Sequence, residues 1–402
     1  MKRFILDSSG YSPYPINIVR AEDCYLFDDT GKQYVDFEGG VWCASVGHNN
    51  PRINTILIQQ LTASGVAHLG YRYQNLDVEE AGDELLRALN FGDGKCLFLN
   101  SGSEAVEYSV QVARHISKKP LLLTLAGAYL SAYGSSGTKG EDEWYIFDWS
   151  HCAEGARDDQ LLQSIPFDRI GGFVFEPGNS SGLVKFPPVW LINELVARVR
   201  QNSGLIIVDE VTTGFGRTGR WFGFNHYQLK PDIVAVGKGL GSGYPVSAVV
   251  MRAPIVDALM QDSSWHYGQS HQNSPQGCIV AREVIRLIRD KHLIERSEQL
   301  GFYFVEELAK LKSKYPCIKE IRGRGLMIVM ELVNWASVTE LYEDLLHKGF
   351  VVGCKPVAGI LRFYPPLTVT KELISNLVDK LDVALRDYVQ RRVQLAGTES
   401  FF

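Results

Sequence analysis

The sequence has no surplus of basic residues, no long apolar run and no paired cysteine motif, and each absence excludes a class of protein. Lys and Arg number 41 against 46 Asp and Glu, so the formal net charge of −5 gives no electrostatic reason to expect nucleic-acid binding. No apolar run approaches the roughly 18 residues that a membrane helix needs. The N-terminus, Met1-Lys-Arg-Phe-Ile-Leu-Asp7, lacks the apolar core and cleavage site of a signal peptide.

The cysteines also exclude two kinds of scaffold. There are 7 of them, scattered along the chain and without a C-x-x-C pair. This usage argues against a zinc site or a disulfide framework, so we expect no metal and predict reduced thiols in the cytoplasm. With 402 residues, 45% hydrophobic and 22% charged, the chain is predicted to form one large and one smaller globular domain.

In the middle of the chain, short apolar runs typical of strands alternate with helical patterns. The strand-like runs are Cys96–Leu99, Leu121–Leu125, Tyr145–Phe147, Phe173–Phe175, Leu205–Val208, Ile233–Val236 and Ala248–Met251. The helical patterns are Glu104–Ser117, Val189–Gln201 and Gln276–Arg289. Apolar strands separated by helices predict an α/β fold, with a mainly parallel sheet covered on both faces. Ligands of such sheets bind at the carboxyl ends of the strands.

The C-terminal part has a different pattern and predicts a compact α+β unit. Its helical segments are His292–Lys314, Ala336–Lys348 and Lys371–Gln394. The segment Ile318–Met330 is interpreted as a turn and a strand, and Val351–Val352 is strand-like. The segment Ala21–Phe37 reads as a hairpin with a turn at Asp29-Thr-Gly31, and we expect it to join this unit. The predicted boundaries are therefore a large domain at 45–285 and a small domain made of 1–44 and 286–402.

Two side chains with charge follow buried strand runs. Lys238 comes after Ile233–Val236 within a glycine-rich turn, where loss of hydration lowers the pKa of its amine and makes it a usable nucleophile. Asp209 follows Leu205–Val208, and a buried carboxylate needs a cationic partner. A lysine that forms a Schiff base and an aspartate on a pyridinium nitrogen are the minimum equipment of a pyridoxal phosphate enzyme.

The segment Asn100-Ser-Gly-Ser-Glu104 opens the helix that follows the first of these strand runs. Helix N-termini carry unpaired N–H groups and the positive end of the helix dipole, so they bind phosphate. The competing interpretation is a capping box formed by Ser101 and Glu104. Phosphate binding is favoured here by the presence of Lys238 and Asp209 elsewhere in the chain.

Three further residues each admit a functional and a structural interpretation. Tyr129 follows a strand and is placed to stack on a planar ring or simply to pack. Ser270 lies in a polar loop and either reaches a phosphate or belongs to a solvated connection. Arg362 lies between apolar residues and needs an anion, either a substrate carboxylate or a structural ion pair. A nucleotide P-loop at Gly237-Lys238 is rejected, because Asp232 and Gly239 occupy the positions that need Gly and Ser or Thr.

Over nearly the whole chain, these motifs resemble one family, the class III (ω-aminotransferase-like) pyridoxal phosphate enzymes of fold type I. The matching segments are Val35-Asp-Phe-Glu-Gly-Gly, Gly47-His-Asn-Asn-Pro51, Ser101-Gly-Ser-Glu-Ala, Glu176-Pro, Asp209-Glu-Val-Thr-Thr-Gly-Phe-Gly-Arg-Thr-Gly219, Gly237-Lys-Gly-Leu-Gly, Arg322-Gly-Arg-Gly-Leu and Arg362-Phe-Tyr-Pro-Pro-Leu. The resemblance implies a large domain with a mainly parallel seven-stranded sheet between helices, a smaller α+β domain from both chain ends, and a homodimer.

The resemblance also implies roles for individual residues. Lys238 would hold the cofactor as an aldimine and move the substrate proton, and Asp209 would keep the pyridine nitrogen protonated. The other cofactor contacts would come from Ser101, Gly102, Ser103, Tyr129, Val211 and Thr212, with Ser270 reaching the phosphate of the neighbouring subunit. Arg362 would bind a substrate carboxylate, and substrate choice would depend on side chains near Trp42, Tyr71, Tyr73 and Tyr133.

Several departures from the family pattern bear on the substrate. The usual histidine after the stacking aromatic is replaced by Leu130-Ser131, and Thr212 stands where glutamine is common. Ser181 stands near the position of a glutamate that masks the arginine in dual-substrate enzymes, so Arg362 is expected to be permanently available to an anion. The favoured function is an aminotransferase with an amino acid donor and a keto acid or aldehyde acceptor. The alternatives are an aminomutase resembling the glutamate-1-semialdehyde enzyme, a racemase, and a non-catalytic member.

Overall fold

The computed structural model describes residues 6, 14–66, 68, 73–333 and 336–399, and its strands form three sheets. Numbered along the chain, the strands are β1 Ile18–Glu22, β2 Tyr25–Asp28, β3 Gln33–Asp36, β4 Lys95–Leu99, β5 Leu121–Leu125, β6 Trp144–Phe147, β7 Ile170–Phe175, β8 Leu205–Asp209, β9 Ile233–Val236, β10 Ser247–Met251, β11 Ile318–Arg324, β12 Met327–Leu332, β13 Phe350–Val351, β14 Gly353–Lys355 and β15 Ile360–Phe363.

The large sheet has seven strands in the spatial order β4-β10-β9-β8-β7-β5-β6. Strands β5 to β9 pair in parallel, and β10 runs antiparallel to both β9 and β4. Every residue of β5, β7, β9 and β10 is buried, because helices cover both faces of the sheet and leave no solvated side. The predicted mainly parallel seven-stranded sheet is confirmed.

Helices connect and cover these strands. Their bounds are Pro51–Gln59, Leu76–Leu89, Gly102–Ser117, Gly134–Thr138, Val189–Gln201, Ala253–Gln261, Pro275–Asp290, Leu293–Lys314, Ala336–His347 and Lys371–Glu399. Helix Pro275–Asp290 illustrates the amphipathic pattern of these helices, because its apolar residues recur at helical spacing and are almost all buried. Its arginines form ion pairs with acidic residues of helix Leu76–Leu89. Within the described residues, no helix is long and apolar enough to cross a membrane.

The two smaller sheets come from the two ends of the chain. One has the order β1-β2-β3-β13 and the other β11-β12-β15-β14. Strand β3 pairs in parallel with β13, so the N-terminal hairpin lies against the C-terminal unit. The segment expected as one turn and strand, Ile318–Met330, is instead an antiparallel pair of strands, β11 and β12. The domain boundaries at 45 and 285 stay a prediction.

Three glycines allow the backbone of the C-terminal unit to approach the large domain. A Cβ added at Gly301, in helix Leu293–Lys314, would overlap the carbonyl oxygen of Gly325. A Cβ at Gly325 would in turn overlap the backbone nitrogen of Gly219. Arg217 reinforces the contact, because its backbone carbonyl accepts a hydrogen bond of 3.0 Å from the N–H of Leu326. This contact leaves no room for any side chain.

The Gly301→Ala variant should therefore destabilise the protein. The added methyl group has to displace backbone rather than a side chain, and overpacking of this kind costs about 1–3 kcal/mol. We expect the melting temperature in a thermal scan to fall by a few degrees, on the order of what such a loss produces in a large domain. Gln299→Ala, at an exposed position of the same helix, is the control. An equal melting temperature for both variants would show that the contact can open.

Candidate active site

The site is built on two neighbouring parallel strands that end at the same edge of the large sheet. Strand β8 ends at Asp209, and β9 ends at Val236 just before Gly237 and Lys238. Because the two strands pair in parallel, with Asp209 opposite Ala235, their carboxyl ends lie side by side. The sequence prediction that Lys238 and Asp209 lie at the carboxyl edge of the sheet agrees with this geometry.

Burial shifts the titration of both groups toward their neutral forms. It lowers the pKa of the Lys238 ammonium, although the charge of Asp209 opposes the shift. It raises the pKa of Asp209 well above its usual range, and the nearby carboxylate of Glu176 raises it further. The Lys238 amine donates a hydrogen bond of 2.8 Å to the hydroxyl of Thr212. The lowered pKa favours the amine form of Lys238, which is the form that acts as nucleophile or base.

The backbone at Lys238 is strained. Its φ is 39°, in the left-handed region that residues with a side chain rarely adopt. Such strain costs of order 1–3 kcal/mol, persists only where the surroundings enforce it, and is common at active sites. The conformation turns the lysine out of the strand direction, and its side chain then lines a cavity beside the sheet edge.

The helix Gly102–Ser117 points its N-terminus at the same cavity. The capping interpretation is confirmed, and phosphate binding stays a prediction. The hydroxyl of Ser101 accepts a hydrogen bond from the N–H of Glu104 at 3.2 Å, and the Glu104 carboxylate accepts one from the N–H of Asn100. The cap therefore orders the first turn, and the N–H groups at Gly102 and Ser103 remain at the cavity wall for an anion.

The cavity measures about 420 Å³. Its wall includes every cofactor and substrate residue predicted from the sequence except Ser270, namely Trp42, Ser101, Gly102, Ser103, Tyr129, Asp209, Val211, Thr212, Lys238 and Arg362. Val41, Leu130, Ser180 and Ser181 complete it. Ser270 is exposed on its own loop. Tyr73 and Tyr133 are exposed, at 73% and 53%, and Tyr71 lies outside the described residues.

A second buried carboxylate, Glu176, was given no role by the sequence argument. It accepts a hydrogen bond of 3.0 Å from the N–H of Tyr129 and another from the hydroxyl of Ser180. Burial raises the pKa of Glu176, and these donors oppose the shift. The carboxylate thereby fixes the backbone that carries Tyr129, the predicted stacking ring. The position of Glu176 directly after the buried strand β7 could have identified it from the sequence as a buried carboxylate.

The segment Gly39–Trp42 forms a left-handed helical turn beside the cavity. All four residues have φ between 58° and 69°, including the β-branched Val41. The buried carboxylate of Asp36 holds the turn by accepting the N–H groups of Glu38, Gly39 and Gly40 at 2.8, 2.9 and 3.1 Å. The turn brings the Trp42 ring to 4.6 Å from the Lys238 nitrogen.

The expectation that no carboxylate faces Arg362 is wrong, whereas its availability to an anion at the cavity wall stays a prediction. Its Nη2 lies 3.2 Å from Oε1 of Glu38, although the two residues are 324 positions apart in sequence. Ser181 does stand at the cavity wall, but its hydroxyl bonds Asn179 rather than the arginine. A carboxylate therefore faces Arg362 from a different segment than the one that was considered, and no local pattern in the sequence connects the two residues.

The residues of the cavity fit pyridoxal phosphate. A helix N-terminus with Gly102 and Ser103 suits the phosphate, and the buried Asp209 suits a protonated pyridine nitrogen. Tyr129 keeps 49% of its surface exposed at the wall, which leaves its ring free for stacking. A Cβ at Gly102 would lie 2.5 Å from Cγ1 of Val211, so the helix approaches as closely as glycine allows.

Comparison with known proteins gives a consistent result. The family model described as aminotransferase class-III matches residues 7–131 and 143–385. An acetylornithine aminotransferase of Methanocaldococcus jannaschii is 31% identical, covering 92% of this chain and 94% of that protein. A leucine/methionine racemase of Thermococcus litoralis is 30% identical, covering 94% of this chain and 92% of that protein.

Solved structures agree with the fold. An acetylornithine aminotransferase from Elizabethkingia anophelis superposes with a TM-score of 0.82 at 26% identity, covering 94% of this chain and 96% of that one. An S-selective transaminase from Arthrobacter sp. superposes with a TM-score of 0.87 at 23% identity, covering 97% and 96%. At that identity the second likeness is informative about the fold alone.

The Gly102→Ala variant should bind pyridoxal phosphate at least about tenfold more weakly, because the added methyl group forces Val211 or the helix start to move. The measurement is a titration of the cofactor-free protein with pyridoxal phosphate, followed by absorbance, with the melting temperature checked in parallel. Gly140→Ala is the control, since a Cβ there meets only the flexible carboxylate of Asp142, at 3.0 Å. Equal affinity in both variants would contradict the assignment of the phosphate site to this helix.

Proposed function

The chain belongs to the class III aminotransferases, and we propose that Lys238 and Asp209 are the residues through which it works. It is a pyridoxal phosphate-dependent enzyme that moves an amino group from an amino acid donor to a keto acid or aldehyde acceptor. When bound, the cofactor supplies an electron sink and a carrier for the amino group. The observation that carries the residue assignment is the convergence of the Lys238 amine and the Asp209 carboxylate on one cavity.

The proposed role of Lys238 is proton transfer at the substrate Cα. Burial lowers the pKa of its ammonium, which favours the form of Nζ that accepts a proton, and the hydrogen bond to Thr212 orients it. Asp209 would hold the pyridine nitrogen in its protonated form, and the buried setting of Asp209 strengthens this interaction. The first turn of helix Gly102–Ser117 would anchor the phosphate.

Substrate recognition is proposed to centre on Arg362. Its guanidinium lines the cavity and lies 5.1 Å from the ring of Trp42. A planar guanidinium binds a carboxylate through two parallel hydrogen bonds, which fixes both the position and the orientation of an amino acid or keto acid. Trp42 supplies an apolar surface for the remainder of the substrate.

We further propose that the enzyme works as a homodimer with shared active sites, in a reducing cytoplasm. Exposed apolar side chains near the cavity support the dimer: Val41 and Tyr133 are more than half exposed, and Tyr129 nearly so. Such residues gather at protein interfaces. Ser270 is exposed and absent from the wall of its own cavity, in keeping with a contact to the partner's phosphate. All the cysteines are free thiols, which suits a reducing compartment.

The Lys238→Ala variant should lose turnover by roughly 10³-fold or more, because the proton acceptor is removed. It should also lose covalent attachment of the cofactor, detected as the absence of a mass increase after borohydride reduction. The exposed Lys230→Ala variant is the control and should retain both properties. Full activity in Lys238→Ala would refute the mechanism.

An absorbance change on adding one amino donor at a time, without an acceptor, tests the transferase assignment. A transaminase should convert its cofactor fully with glutamate, ornithine, 4-aminobutyrate or alanine and then stop, because the amino group stays on the cofactor. A mutase or racemase would instead turn over one substrate continuously. The racemase named among the relatives makes this distinction worth measuring.

Complementation between subunits tests the shared active site. Ser270→Asp should be nearly inactive, because a carboxylate would repel the phosphate of the partner subunit. When Ser270→Asp and Lys238→Ala chains are refolded or expressed together, mixed dimers should recover activity that neither parent has. In those dimers one site combines Lys238 of one chain with an unchanged Ser270 from the other. Mixed dimers without activity would place Ser270 outside the partner's site.

A further inference from the structure

The ion pair between Arg362 and Glu38 uses only part of the arginine. Nη2 of Arg362 contacts Oε1 of Glu38 at 3.2 Å, while Nε is buried and finds no partner within the described residues. Arginine carries five N–H donors in a rigid fork, so one contact leaves most of them available. The side chain is only 14% exposed, and water therefore cannot fully satisfy the rest.

Two other buried donors lie beside this guanidinium. Nε1 of Trp42 and the hydroxyl of Tyr364 are buried and without a hydrogen-bond partner in the described part of the chain. Their rings stack on one another with centroids 5.0 Å apart. Buried donors without acceptors are rare in folded proteins. The Trp42 ring and the Arg362 guanidinium therefore line this end of the cavity together, with the buried Tyr364 ring behind Trp42.

The structure makes a slot for the Arg362–Glu38 pair. A Cβ at Gly353 would lie 2.7 Å from Nε of Arg362 and 3.1 Å from Oε1 of Glu38, and a Cβ at Gly182 would lie 2.8 Å from Nη1 of Arg362. Any side chain at either glycine would push the guanidinium away from Glu38. On the other side, Asp36 fixes Glu38 by accepting its N–H at 2.8 Å. The two glycines on one side and the Asp36 carboxylate on the other thus hold Arg362 and Glu38 in contact.

The position of Glu38 determines how the pair can act. Arg362 belongs to the wall of the cavity, whereas Glu38 does not line it. The glutamate therefore neutralises the arginine from behind and does not have to leave when a substrate carboxylate arrives. Burial raises the pKa of Glu38, and the charge of Arg362 opposes this shift.

We propose that Glu38 is a specificity-determining residue that serves as the resident counter-charge of Arg362. This inference rests on the proposed role of Arg362 as the carboxylate site. With Glu38 in place, an amine or aldehyde that lacks a carboxylate beside the reacting carbon binds without leaving a buried arginine unpaired. An amino or keto acid binds the free N–H groups of the same arginine, at an affinity reduced by the glutamate. The substrate class thus includes both kinds of compound.

The test compares two amines that differ only at the group facing Arg362, L-alanine and 2-aminopropane, with 1-phenylethylamine as a larger amine without a carboxylate. Rates of the half-reaction are measured by absorbance for the wild-type holoenzyme and for Glu38→Gln, which keeps the size and an acceptor oxygen but removes the charge. We expect kcat/KM for L-alanine to rise and that for the amines to fall. Their ratio should move at least about tenfold toward the carboxylate substrate, mainly through KM.

Three variants make the result specific. Glu22→Gln, at an exposed acidic residue of β1, should leave the ratio unchanged. Arg362→Gln should lose L-alanine while keeping the amines, and Glu38→Gln added to it should have no further effect on the ratio. Glu38→Asp retains the charge and should stay close to wild type, which covers the case in which Glu38→Gln folds poorly.

The outcomes distinguish the role of Glu38 from the role of Arg362 as the carboxylate site. A ratio that changes less than twofold in Glu38→Gln, or that shifts equally in the Arg362→Gln background, would overturn the role of Glu38 and leave the aminotransferase assignment intact. A wild-type enzyme that reacts with L-alanine but with neither amine would overturn it as well. If Arg362→Gln handled L-alanine normally, the carboxylate site itself would be misplaced, and the inference would fall with it.

Discussion

The desolvation of two charged groups at one edge of a parallel sheet is the constraint on which the rest of the site depends. Burial lowers the pKa of the Lys238 ammonium and raises the pKa of the Asp209 carboxyl, so both shifts favour the neutral form. In water neither pKa would be displaced in this way. The strained backbone at Lys238 and the second buried carboxylate, Glu176, lie at this same edge.

Much of this arrangement was predictable because its signals are local. Apolar runs that end in Asp209 or Lys238 identify buried strands, and the order of strands and helices implies a parallel sheet whose carboxyl ends share an edge. The helix start at Ser101–Gly102 is equally visible, since a cap and a glycine lie next to each other in sequence. For the same reason, nearly every cofactor residue expected from the sequence lies at one cavity wall.

What could not be predicted depends on contacts between distant segments. The left-handed turn Gly39–Trp42 is unfavourable by roughly 1–2 kcal/mol for each residue with a side chain, and only the donors gathered by Asp36 reveal why it persists. The partner of Arg362, Glu38, lies immediately before that turn and far from the arginine in the chain. A resemblance between sequences predicts a masking carboxylate only at the position where the family has one, which here is Ser181. A carboxylate from any segment can pair with the arginine if it lies close enough, as Glu38 does.

The close approach of Gly301, Gly325 and Gly219 has a further consequence. Gly219 terminates the same connection that begins with Asp209, and Gly325 joins β11 to β12, the strand that pairs with the one carrying Arg362. In a contact between backbone atoms no side chain can change its rotamer to absorb a displacement. The contact therefore fixes the position of the C-terminal unit against the connection that begins at Asp209. The separation between Asp209 and Arg362 is then set by the backbone rather than by side-chain positions. Side chains at and beside the cavity, such as Trp42 and Glu38, can therefore vary without disturbing this backbone contact.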